Sequence, residues 1–206
     1  MKTKFDTRSL VLLGVLTAIV MVFSFTPIGS IPVGPLVITL NVIPIAIAAV
    51  ALGPVGGLIM GSVFGIFSFL QCYGIGMPSG MGAVLVEISP VLAFIQRFVP
   101  RALDGLLVGL IFQAFSKHGT IKIGGLVTGF FTAFLNTLFF MSALILLFGN
   151  TEYVQGLRGG KNVLAFVVGF VGINAVFEMI VCTIITGAVT VALQKAGFLA
   201  REKATA

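Results

Sequence analysis

Arg97 and Arg101 lie four residues apart, and Asp104 follows three residues later, in a stretch that is otherwise apolar. At that spacing all three share one helix face. A guanidinium is a planar fork of N–H donors that matches a carboxylate or a set of polar heteroatoms. Asn174 and Glu178 repeat the four-residue spacing further along the chain, and Asn136 stands one turn past Thr132. A carboxamide both donates and accepts, which suits a polar guest held in an apolar wall. Plainer roles exist for the same residues. Arg101 could pair with Asp104 inside the fold, Arg97 could reach a headgroup layer, each Asn could bridge two helices, and Glu178 could pair with either arginine.

The elements that carry these groups belong in a bilayer. Of the 206 residues, 58% are hydrophobic and 9% charged, against about 25% charged in soluble domains. The mean hydropathy is +1.20. The fold expected is therefore an all-α integral membrane protein, and ionisable groups at membrane depth mark a polar pathway or a ligand site. Six spans of roughly the required length fit a single transmembrane domain over 1–206: about 9–25, 38–52, 55–70, 91–116, 123–148 and 162–193. Thr26-Pro27 ends the first and Gly53-Pro54 the second. The Gly- and Pro-rich connector from Thr26 to Val37 is too broken for a helix, and the apolar piece over 83–92 reads as short and re-entrant or interfacial. Residues 149–161 read as a polar loop. Lys2, Lys4, Arg8, Lys117, Lys122, Lys195, Arg201 and Lys203 gather at one set of segment ends. The positive-inside rule then puts both termini in the cytoplasm.

The net charge of +6 comes from basic residues scattered at segment ends, so no nucleic acid partner is expected. Cys72 and Cys182 form no CxxC or Cys/His cluster, His118 is the only histidine, and HExxH, GxSxG and P-loop patterns are missing. An enzyme, a metal site and a cofactor are therefore not expected. Gly57, Gly61 and Gly65 form one small-residue face suited to packing inside the bundle, and Gly14-xxx-Ala18 forms another in the first span.

With these features in place, the chain resembles the substrate-binding S component of energy-coupling factor (ECF) vitamin transporters, most closely the pantothenate-type branch. The resemblance rests on Gly14-xxx-Ala18, on the stretch from Ile38 to Ile47 followed by Leu52-Gly-Pro54 and Gly56, on Ser89-Pro-Val-Leu92, on Pro100-Arg-Ala-Leu-Asp-Gly-Leu106, and on Asn174 with Glu178. It covers nearly the whole chain through degenerate motifs, and Gly14 replaces the first Ala of the family's AxxxA. It implies a six-helix bundle that captures a vitamin from outside, with Arg97, Asn136, Asn174 and Glu178 at the ligand. Gly14 and Ala18 would dock on a membrane-embedded T component that joins two ATPase subunits, and the first connector would gate the pocket. Pantothenate is the leading guest, because its carboxylate suits Arg97 and its hydroxyls and amide suit the two asparagines. Riboflavin, stacked on phenylalanines, a standalone ion-coupled carrier and a non-transporting scaffold are the other readings.

Overall fold

The computed structural model describes residues 6–33 and 36–199. Among them are five helices long and apolar enough to cross a membrane: α1 (Thr7–Phe25), α2 (Val42–Leu70), α4 (Pro90–Lys117), α5 (Ile121–Phe148) and α7 (Val163–Lys195). Two short helices, α3 (Gly80–Ile88) and α6 (Glu152–Arg158), and an antiparallel hairpin of β1 (Ser30–Val33) and β2 (Leu36–Thr39) complete the architecture. Lys2, Lys4, Arg201 and Lys203, on which part of the expected topology rests, lie outside the described residues.

The sequence explains where the helices begin and turn. Asp6 caps α1 by accepting hydrogen bonds from the backbone N–H of Ser9 (2.9 Å) and from its hydroxyl (2.6 Å). The Ser9 hydroxyl and N–H hold the Asp6 carboxyl below its ordinary range. Helix α2 is not straight. Gly53 adopts φ 70 and ψ −160, a conformation that L side chains rarely adopt. A Cβ placed on Gly57 would lie 3.2 Å from the Cβ of Ala49, although eight residues of continuous helix rise about 12 Å. The chain therefore reverses at Gly53, and the two limbs of α2 lie against each other.

The second limb of α2 runs antiparallel to α4 along a glycine seam. A side chain at Gly57 would collide with the backbone of Gly105, one at Gly61 with the carbonyl of Arg101, and one at Gly109 with the backbone of Pro54. The helix backbones touch because no Cβ intervenes. This seam fixes the height of α4, and with it the height of Arg97 and Arg101. Gly105→Leu is expected to lower detergent-phase thermal stability by the equivalent of about 2 kcal/mol or more, read by thermal unfolding. Wild-type stability in that variant would show that the seam does not set the packing.

Helices α5 and α7 make a second close seam. Gly129 faces the Cys182 carbonyl and Thr186, and Gly125 faces Thr190. The threonines there bond back into their own helices, Thr132 to the Thr128 carbonyl and Thr190 to the Thr186 carbonyl, each at 2.7 Å. This is how hydroxyls persist in an apolar interior. Leu13, Leu16 and Val20 place α1 against Ile45, Ala48, Met60 and Phe64 of α2. The other face of α1, with Leu10, Val11, Gly14, Val15 and Ala18, is exposed.

Two differences from the sequence reading have local causes. Ile38 and Thr39, placed in the second span, belong to β2, so that span begins at Val42. The connector, read as too broken for a helix, carries the strand pair. The polar loop over 149–161 contains α6, capped by the Thr151 hydroxyl and ended by Gly159 at φ 55, both ordinary helix signals. Helices α3 and α6 pack on Met141, Leu144 and Phe148 of α5 and Phe166 of α7, closing the same end of the bundle as the hairpin.

Candidate functional site

Beneath that closed end lies a cavity of about 290 Å³. Its wall is built from side-chain pairs one helical turn apart. Arg97 and Arg101 come from α4, Asn136 and Phe140 from α5, Asn174 and Glu178 from α7, and Phe64 and Ser68 from α2. Thr39 of β2, Gln71 and the segment Met77-Pro78-Ser79 also line it. Arg97, Asn136, Asn174 and Glu178, singled out from sequence, thus face one hollow from three helices. All four are buried, none more than 8% exposed.

The expected Arg101–Asp104 pair is not made, and both Asp104 carboxylate oxygens lack a hydrogen-bond partner among the described residues. Helical side chains tilt toward the N-terminus, which carries the long Arg101 away from a short acid three residues later. Arg101 instead donates from Nη1 to the Gln96 carbonyl (3.2 Å) and places its guanidinium over the rings of Phe140 and Phe64, at 4.5 and 5.5 Å. Asp104 lies outside the cavity lining. Arg97 is buried within the fold. It donates from Nη2 to the Ser79 hydroxyl at 3.1 Å and lies 5.2 Å from the Phe140 ring centre. Ser79 also caps α3 by accepting the Gly82 N–H. Its hydroxyl therefore links Arg97 to the start of that helix.

Glu178 pairs with neither arginine through a direct contact. Its Oε1 accepts the backbone N–H of Thr39 at 2.7 Å, so the inner end of the hairpin is bonded to a wall of the cavity. Several buried polar atoms at the site have no partner among the described residues: Nε of Arg97, Nε of Arg101 and Oδ1 of Asn136. Buried polar atoms are rarely left unpaired, and here they surround a space. Two guanidiniums against one carboxylate give the lining an excess of positive charge, and the free carboxamide oxygen accepts. The arrangement suits an organic anion that also carries hydroxyl or N–H donors.

Cys72 and Cys182 are buried free thiols, as their apolar settings imply. Phe140, Gln71 and Thr39 were missed by sequence reasoning, which left open whether the stretch from Met77 to Gly82, with Ser79, reaches the site. Phe140 is one of 20 phenylalanines, and Thr39 contributes a backbone group. Only Ser79 carried a signal, as a serine opening a helix three residues before Gly82.

The fold and site define a multi-pass membrane protein with a small-molecule hollow at one end. The family model described as "ECF transporter, substrate-specific component" matches residues 8–190, and the chain belongs to that family. It is 28% identical over 193 residues to "Pantothenate transporter PanT" of Leuconostoc mesenteroides, covering 89% of this chain and 90% of the relative. It is 27% identical over 174 residues to "Pantothenic acid transporter PanT" of Lactococcus lactis subsp. cremoris, covering 80% of each. The protein is thus a transport component of the bacterial cell membrane.

Proposed function

We propose that this chain is the vitamin-capture subunit of an ATP-driven importer and that its guest is pantothenate. The cavity carries the reading: two buried guanidiniums stand in one small hollow with two carboxamides and a carboxylate. Pantothenate is a slender anion with a carboxylate at one end and hydroxyls and an amide N–H elsewhere. Its carboxylate would lie against Arg97 and Arg101, its carbonyl and hydroxyls against Asn136 and Asn174, and a hydroxyl or amide N–H against Glu178. The names of the two relatives support that choice. Flavin is disfavoured by the lining, because its phenylalanines, Phe64 and Phe140, have guanidiniums on their rings.

The reading includes six spans, with the two limbs of α2 counted separately, in one domain over 1–206. Helices α1 and α7 then have their Asp6 and Lys195 ends in the cytoplasm, and the cavity opens outward beneath the hairpin. Energy comes from partners, a T component in the membrane and two ATPases, reached through the Gly14/Ala18 face of α1. The chain itself binds and hands over its guest without changing it.

The test is mass spectrometry of small molecules released from gently purified protein, followed by calorimetric titration of the emptied protein. Pantothenate in the released fraction, at close to one per chain, with tight 1:1 rebinding, is the expected result. A different vitamin, or no binding of pantothenate, overturns the assignment.

A further inference from the structure

We infer that Phe140 is the residue that turns Arg97 and Arg101 into one anion-reading unit, and that it thereby sets the preference of the cavity for a carboxylate over the matching neutral group. The inference rests on the reading of the hollow as a capture site for an organic anion. Its basis is geometric. The Phe140 ring lies 5.2 Å from the Arg97 guanidinium carbon and 4.5 Å from that of Arg101. Among the described residues Phe64 reaches Arg101 and Phe140 is the ring that touches both.

Two like charges one turn apart repel, and the repulsion is weakly screened in an apolar interior. The negative face of an aromatic ring within about 6 Å of a cation offsets that cost, most strongly where water is excluded. The ring also restricts two long side chains that would otherwise sample many rotamers. Among the described residues Arg97 donates to the Ser79 hydroxyl and lies within hydrogen-bonding reach of the Cys72 thiol, and Arg101 donates to the Gln96 carbonyl. Both Nε atoms are buried without a partner among the described residues. Phe140 makes no polar contact with an anion itself. It is a positioning residue that holds uncommitted donors around one point. Asn136, one turn earlier on α5, lines the same cavity.

The test compares pantothenate with its primary-alcohol counterpart, in which CH2OH replaces the carboxylate, by calorimetry on the wild type, Phe140→Leu and Phe140→Tyr. Phe140→Leu is expected to lose about tenfold in affinity for the acid while its affinity for the alcohol changes less than about twofold. Phe140→Tyr, which keeps the ring, is expected to retain the wild-type ratio. Equal losses on both ligands, or an unchanged acid-to-alcohol ratio, would mean that Phe140 only fills space, and would overturn the inference.

A readout without ligand separates this inference from the capture reading. The chain has five arginines, so the Nε–H resonances in arginine-labelled protein are few, and Arg97→Lys and Arg101→Lys assign the two of interest. Both are expected to be displaced by the ring current in the wild type and to return toward ordinary positions in Phe140→Leu. Resonances that do not respond to Phe140→Leu overturn the inference whatever the protein binds. Failure of the wild type to bind pantothenate, with the ring-current shifts present, overturns the choice of guest and leaves the guanidinium arrangement standing.

Discussion

Arg97→Ala is expected to raise the Kd for pantothenate by roughly 30-fold or more. Removing one partner of a buried, hydrogen-bonded charge contact costs about 2–5 kcal/mol, and the lower figure already corresponds to about 30-fold in Kd. In this chain the loss has two parts. The guest's carboxylate would be left with Arg101, whose guanidinium already lies on Phe140 and Phe64. The start of α3 would also lose its tie, because the Ser79 hydroxyl would no longer receive Arg97. Arg97→Lys keeps the charge and loses the planar fork, so it should fall between wild type and alanine. Calorimetric titration gives the affinities, and thermal unfolding of the empty variants shows whether the fold is intact. Wild-type affinity in a folded Arg97→Ala protein would remove the guanidinium from the account of capture.

Gly14→Leu should have the opposite signature, with capture unchanged and uptake by cells reduced about tenfold or more. A Cβ on Gly14 meets nothing within 4 Å, and Gly14 and Ala18 lie on the exposed face of α1. The added side chain therefore enters neither the α1–α2 interface nor the cavity. A small-residue face that no described helix of the chain covers lets a second backbone approach closely, and a leucine would hold that backbone away. Overpacking a close contact costs about 1–3 kcal/mol, enough to thin the proposed complex. Radiolabelled pantothenate accumulation in cells reads uptake, and co-purification of the T component and ATPases reads assembly. Normal uptake with Gly14→Leu would mean that the partners meet another face. Loss of binding in the purified variant would mean that α1 shapes the cavity.

Much of the site was visible in the sequence because charge is scarce in it. In a chain with so few ionisable residues, Arg97 and Arg101 stand out at once, and the i, i+4 rule puts Asn174 beside Glu178 without a structure. Gly53-Pro54 likewise announced a break, and the reversal there is real. Direction along a helix was harder to read. Spacing alone makes Arg101 and Asp104 neighbours, whereas the backward tilt of helical side chains sends the arginine toward the aromatic rings. Common residue types hid the rest. One phenylalanine among twenty carries no mark of its contact with two guanidiniums, and a backbone N–H at Thr39 has no signature in side-chain chemistry. Helix α6 was hidden by its polarity, although Thr151 and Gly159 bracket it as capping residues do.

The bond from the Thr39 amide to the Glu178 carboxylate has a consequence for the order of events. One acidic side chain serves as both doorpost and interior fitting. A visitor that claims the carboxylate for its own hydroxyl must share it with the strand above or displace that strand. If the hollow holds the proposed guest, its occupancy and the posture of the hairpin would in this way be tied through one carboxylate.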